Sequence, residues 1–225
     1  MYQNVIFDLG GVVVNSDPRN WLVDRFFNEK IEDDLYRLTF GSEIWQRWAR
    51  GEIGINTVRL LVGEQAKAAG RSFEAREVLE NWQSMLTNKN STIDMIRRMK
   101  KSGVHVYYLS NTEKETLEIL QQRDFWKYWD GGVASCDIGI CKPDPRIYQS
   151  LLMHYQLDPA SCLYVDDKKE NIDQAAALGI AGILYQNPRA LASTLMACGV
   201  PIRAKNRPGL HKNKKTAAKA PTEKK

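Results

Sequence analysis

The 225-residue chain has no long hydrophobic run: no segment approaches the roughly 18 consecutive apolar residues that a membrane helix requires. Its N-terminus lacks the basic start, apolar stretch and cleavage site of a secretory leader, so a cytoplasmic protein without membrane contact is expected. Cysteine is scarce. Cys136, Cys141, Cys162 and Cys198 form no CxxC pair, so nothing marks a thiolate metal site or a disulfide framework, and reduced thiols are expected. Residues 201–225 are nearly without acid: Glu223 stands alone among nine Lys and Arg. That tail's net +8, set against +5 for the whole chain, leaves −3 for residues 1–200. Poor in large apolar side chains, the tail cannot offset the entropy of ordering and is expected to be disordered. It also lacks interleaved aromatics and any recognisable binding module, so nucleic acid is not expected as a partner. Composition points to no particular oligomeric state.

What the chain does have is an alternation of two periodicities. Short, β-rich apolar runs at residues 4–8, 104–109, 132–134, 162–165 and 181–185 read as buried strands. Between them lie helical spacings such as Ile93/Ile96/Met99, Thr116/Leu117/Leu120, Ile147/Leu151/Leu152 and Ile172/Ala175/Ala176, with Gly103 and Gly179 where helix stops belong. Strands alternating with helices predict an α/β fold, a doubly wound parallel sheet with both faces covered. Residues 16–88 interrupt the rhythm. They carry helical spacing at Trp21/Leu22/Phe26, Ile44/Trp45/Trp48 and Val58/Leu61/Val62 but no convincing strand. The expected division is therefore a Rossmann-like core from residues 1–15 and 89–200, a helical cap over 16–88, and the basic tail from 201.

Asp8 is the anomaly in the apolar run 5–14, because a carboxylate buried without a partner is costly. Three further polar clusters follow apolar runs: Ser110-Asn111-Thr112 after 104–109, Lys142-Pro143 after a run read as a strand at 138–141, and Asp166-Asp167 after 162–165. In a doubly wound sheet the carboxyl ends of the strands converge. Three carboxylates would then gather around one lysine and one hydroxyl. Their mutual repulsion calls for a cation, and a hard ion such as Mg²⁺ takes a couple of carboxylates together with carbonyl, water and phosphate oxygens. Ser110 and Lys142 would hold the remaining phosphate oxygens, while Gly10 and Gly11 would let backbone amides curl towards the anion. The chemistry expected is phosphoryl transfer.

The four clusters resemble the motifs of the haloacid dehalogenase superfamily of phosphatases and related hydrolases. They occur in order as Phe7-Asp8-Leu9-Gly10-Gly11-Val12, then Leu109-Ser110-Asn111-Thr112, then Lys142-Pro143-Asp144-Pro145-Arg146-Ile147-Tyr148, then Val165-Asp166-Asp167 with Asn171. The helical insertion is similar to the small cap of that family. Arg50-Gly51-Glu52-Ile53 resembles a turn of its sugar-phosphate phosphatases, and the chain as a whole is similar to its glucose-1-phosphate phosphatase-like members. The resemblance implies that Asp8 is a nucleophile forming an aspartyl-phosphate, that Ser110, Asn111 and Lys142 bind phosphate with Gly10 and Gly11, and that Asp8, the carbonyl of Gly10 and Asp167 hold Mg²⁺ with Asp166 in support. A small phosphorylated metabolite, such as a sugar phosphate, is the implied substrate class.

One position departs from the family pattern. Most phosphatase members carry a second aspartate two residues after the nucleophile as general acid and base, and here Gly10 stands there. Asp17 is the nearest substitute by sequence, although its expected role is a helix cap. Trp45 and Trp48, at helical spacing, are expected to pack within the cap, and His105 and His154 receive no catalytic role. Two other functions compete. A dehalogenase needs no proton for its leaving halide but gains nothing from Asp166 and Asp167, and a non-catalytic binding or regulatory protein has no need of the nucleophile.

Overall fold

The computed structural model describes residues 2–203, so all but the first three residues of the expected basic tail lie outside the described residues. Five strands, β1 (Asn4–Phe7), β2 (His105–Ser110), β3 (Gly131–Ala134), β4 (Cys162–Asp166) and β5 (Ala181–Leu184), form one sheet in the order β3-β2-β1-β4-β5. Every pairing is parallel, and Phe7 lies level with Tyr108 on one side and Val165 on the other. The period-two alternation of each strand divides its side chains between two apolar layers. Val5, Phe7, Val106, Tyr108, Leu163 and Val165 face one layer, while Ile6, Tyr107, Leu109, Cys162 and Tyr164 face the other. Strands buried on both faces read as continuous apolar runs, which is why the sequence marks them so clearly.

Helices α1 (Pro18–Phe26), α2 (Glu29–Leu38), α3 (Glu43–Ala49), α4 (Ile55–Ala68) and α5 (Ser72–Asn81) follow β1 without an intervening strand. The chain then runs through α6 (Asn90–Lys100), α7 (Lys114–Gln121), the one-turn α8 (Ser135–Ile138), α9 (Pro145–His154), α10 (Lys169–Ala177) and α11 (Pro188–Ala197). Helices α6, α7 and α11 cover the first layer, and α9 and α10 the second. Asp17-Pro18, Asp144-Pro145 and Asn187-Pro188 open α1, α9 and α11, the side chain capping a free amide and proline presetting the first turn. Gly103 and Gly179 close α6 and α10 at φ +82°, as their positions predicted. Among the described residues, no helix is long and apolar enough to cross a membrane.

One expected element is absent. Residues 138–141 are not a strand: Ser135–Ile138 is a helical turn closed by Gly139 in the left-handed region at φ +72°. The apolar side chains Ile138 and Ile140 pack on the second layer from a turn rather than from a sheet position. Lys142 therefore reaches the site from a loop.

Candidate active site

Strand β1 ends on Phe7, but its ladder runs one residue further, since the Asp8 amide donates to Val165 O at 2.8 Å. That bond sets Asp8 beside the end of β4. Its Oδ1 accepts from the Leu9 amide at 2.7 Å and forms an ion pair with Lys142 Nζ at 3.1 Å. Among the described residues, nothing donates a hydrogen bond to Asp8 Oδ2, which leaves that oxygen with both lone pairs available.

Lys142 is fixed at both its ends. Its main chain is bracketed by Asn111, whose Oδ1 accepts from the Lys142 amide at 2.7 Å and whose Nδ2 donates to the Lys142 carbonyl at 2.9 Å. Its ammonium donates to Leu109 O at 2.9 Å, to Tyr164 Oη at 3.0 Å and to Asp166 Oδ2 at 2.7 Å. Asp166 is fully buried and also accepts from Tyr164 Oη, from the Lys168 amide at 2.8 Å and from Asn171 Nδ2 at 3.0 Å on each oxygen. With about four lone-pair sites to offer, the carboxylate is saturated, and it works as the anchor of Lys142. One of its oxygens nevertheless lies in the carboxylate cluster with Asp8 and Asp167, in keeping with the supporting role expected for it.

Asp167 is the contrast. It is exposed, it has no ion-pair partner among the described residues, and one oxygen each of Asp8, Asp166 and Asp167 lie within 4.8 Å of one another. Three carboxylates face a single ammonium, an imbalance suited to a hard divalent cation with oxygen ligands. The charges also separate the three acids. Burial pushes the Asp8 carboxyl up to about 6, with Lys142 opposing and Asp166 and Asp167 reinforcing the rise. Burial pushes Asp166 in the same direction, but the charge and hydrogen bond of Lys142, with those of Tyr164 and the Lys168 amide, outweigh it and hold Asp166 below its ordinary range. Asp167 is raised by partial burial and by Asp166. Burial keeps the Tyr164 hydroxyl protonated far beyond neutral pH, so it remains a donor to Asp166.

Gly11 turns at φ +76° directly against Asp167, where a Cβ would sit 2.7 Å from Asp167 Cγ. Only glycine fits both the turn and the approach. Its amide, however, donates to Val14 O at 2.9 Å, so the expected anion contact from the Gly11 amide is not available. Gly10 adjoins Ser16, and with Ser110 it borders a cavity of about 90 Å³. Phe40, Trp45 and Trp82 from the helical segment line the other side, and a wider cleft of about 640 Å³ continues from it past Gly11 and Asp167. Ser110 is buried at the end of β2, one residue before Asn111.

Asp17 lines the wider cleft, but its carboxylate caps α1 by accepting from the Asn20 amide at 3.1 Å and from Asn20 Nδ2 at 2.6 Å. Trp45 and Trp48 pack edge to face, 4.9 Å between centroids, as expected. Arg50 pairs with Glu52 and Glu43, and Gly51 lies against the Cys136 carbonyl, so the Arg50–Ile53 turn seats α3 on the core. Sequence reasoning missed Tyr164, although it lies two residues before Asp166 on the same face of β4. It also missed Glu113 and Phe40, for which the sequence offers no signal.

With this geometry in hand, comparison with known proteins gives a family. Residues 2–179 match the family described as haloacid dehalogenase-like hydrolase, and the chain belongs to that family of hydrolases. It is 29% identical to a sesquiterpene phosphatase of Aspergillus oryzae over 81% of this chain and 89% of that one. It is 28% identical to a D-ribitol-5-phosphate phosphatase of Bacteroides thetaiotaomicron, covering 83% and 93% of the two chains. In fold it is similar to a haloacid dehalogenase family enzyme of Bacteroides thetaiotaomicron solved with magnesium and inorganic phosphate, with a TM-score of 0.65 at 22% identity over 83% of this chain and 95% of that one.

Proposed function

We propose that this hydrolase is a Mg²⁺-dependent phosphatase of a small phosphorylated metabolite, acting through an aspartyl-phosphate on Asp8. The observation that carries the reading is Asp8 at the converging ends of β1, β2 and β4, its Oδ1 ion-paired with Lys142 and one of its oxygens within 4.8 Å of Asp167, which has no ion-pair partner among the described residues. Two phosphatases among the relatives support the same class. Helices α1–α5 would act as a cap over the cleft, and their aromatic side chains would exclude water from the reacting bond.

Asp8 Oδ2 attacks phosphorus, and the bond from phosphorus to the leaving oxygen breaks, that oxygen carrying away the electron pair. Ser110 would bind a non-bridging oxygen, and Lys142 would supply positive charge beside the phosphoryl group, kept in place by Asp166 and Asn111. Asp8, the Gly10 carbonyl and Asp167 would hold Mg²⁺, which supplies positive charge to the transferring phosphoryl group. The leaving oxygen takes its proton from water, because Gly10 offers none. Water then attacks the aspartyl-phosphate, releasing inorganic phosphate and restoring Asp8. A dehalogenase would also tolerate Gly10, but it would leave the excess negative charge at Asp167 without a use.

The test is phosphate release from a panel of phosphate monoesters, nucleotides and phosphorylated cofactors, with Mg²⁺ and with chelator. Release that depends on Mg²⁺ is expected. Chloride release from a haloacid in chelator, without phosphate release from any ester, would overturn the reading.

A further inference from the structure

The cavity beside Ser110 differs in chemistry from the wider cleft. Phe40, Trp45, Trp82, Met85, Leu86 and Leu120 form its apolar wall. Trp45 and Trp48 lie edge to face on Trp82, with centroids 6.1 and 5.4 Å away, so the wall is preformed and costs little to organise on binding.

On the opposite wall Glu113 and Asn111 are already engaged, and Ser16, Ser110 and Thr112 also line the cavity. Glu113 accepts from Trp45 Nε1 and from Thr116 Oγ1, each at 2.8 Å, and Asn111 is committed to the Lys142 main chain. A ligand rich in hydroxyls would lose its water against the apolar wall, whose side chains offer it no acceptor, and each hydroxyl left unpaired there is unfavourable. An apolar group loses nothing of that kind and gains from leaving water. Gly10 and Ser110 border the same cavity, so a group esterified to a phosphate held by Ser110 would enter it.

We propose that this cavity receives an apolar organic group of the substrate, so that the enzyme prefers phosphate esters of apolar alcohols to those of polyols. The inference rests on the phosphatase reading above, and it departs from the sugar phosphate that the resemblance implies. The size narrows it further. A cavity of about 150 Å³ houses benzene, whereas this one measures about 90 Å³. A slim aliphatic end therefore fits better than a whole ring. Ser16, Pro18, Phe40 and Trp45 line both spaces, giving a longer chain a continuous path into the wider cleft.

The experiment compares kcat/KM for 3-methylbutyl phosphate and erythritol 4-phosphate in the presence of Mg²⁺. Both leave as primary alkoxides, so a site without a general acid handicaps them alike. Acetyl phosphate, too short to fill the cavity, is measured in parallel as a report on the chemistry itself. A preference of about tenfold or more for 3-methylbutyl phosphate is expected, the discrimination an apolar pocket gives over a group it cannot solvate. Phe40→Asn should shrink that preference and Phe40→Leu should retain it, with folding of each verified by thermal melting. If Phe40→Asn does not fold, Met85→Gln gives the same comparison. Hydrolysis of acetyl phosphate with equal or reversed preference between the two esters overturns the pocket assignment and leaves the phosphatase reading standing. A preference that a folded Phe40→Asn or Met85→Gln leaves unchanged also overturns it. Failure to hydrolyse any of the three compounds overturns both readings together.

Discussion

Asp167 and Asp166 are neighbours in sequence with opposite duties. Asp166 is buried and saturated by donors, whereas Asp167 is exposed and has no ion-pair partner among the described residues. Replacing Asp167 with Ala should raise the half-saturating Mg²⁺ concentration at least about tenfold while the fold persists. Unchanged Mg²⁺ dependence in the folded variant would remove Asp167 from the metal site. Asp8 supplies a second check through pH. Burial raises its carboxyl from 3.8 to about 6, so the folded protein holds a proton that the unfolded chain has already lost between those values. The stabilisation tied to that proton is complete below the unfolded value and is lost as pH rises through about 6. A cation bound in the proposed site would compete with the proton for Asp8. The rise in Tm on adding Mg²⁺ should accordingly be small near pH 5 and grow as pH passes about 6, measured by thermal melting across that range. A Tm shift independent of pH would show that the cation does not bind Asp8. Asp8, Ser110, Lys142, Asp166 and Asp167 were legible because each interrupts an apolar run with a group that burial penalises. Glu113 was not, because an acid before an amphipathic helix looks like any first-turn residue.

Helices α3 and α7 are joined by two buried-face hydrogen bonds. Trp45 Nε1 donates to Glu113 and Trp48 Nε1 to Glu115, each at 2.8 Å, and Glu115 also accepts from the Ile55 amide at the start of α4. Ser135 Oγ donates to Ala49 O at 2.6 Å on the same side. Glu115→Ala would leave the indole N–H of a fully packed Trp48 unpaired, for a loss of about 1–3 kcal/mol in urea unfolding. Glu115→Gln, which keeps an acceptor, should recover most of it. An unaltered unfolding midpoint for the Ala variant would mean that the contact contributes nothing to docking these helices. The elements themselves were largely readable, since periodicity, Asp-Pro and Asn-Pro starts and glycine stops act locally. The exception, 138–141, failed because a short apolar run has no periodicity to separate a strand from a packed turn.

At the scale of the molecule, the strand order β3-β2-β1-β4-β5 puts the chain's reversal at β1, and Asp8 stands at that switch point. Alternation of strands and helices announced a parallel sheet, but strand order depends on which crossovers pack against which layer, and no local pattern records it. The alternation within each strand did record the two layers, because Phe7 and Tyr108 on one side and Ile6 and Tyr107 on the other obey the same period of two. Residues 204–225 contribute no motif of the site and lie beyond the family match at residues 2–179. Their removal should leave phosphate release within about twofold, and a larger loss would assign the basic segment to substrate binding. The central claim is that Asp8 carries the phosphoryl group. Rapid quenching during turnover, followed by mass spectrometry of the peptide containing Asp8, measures this most directly. A transient phosphate on Asp8 is expected in the wild type, with neither the adduct nor turnover in folded Asp8→Asn; turnover by that variant, or a phosphoryl group found on another residue, would contradict the assignment of Asp8 as nucleophile.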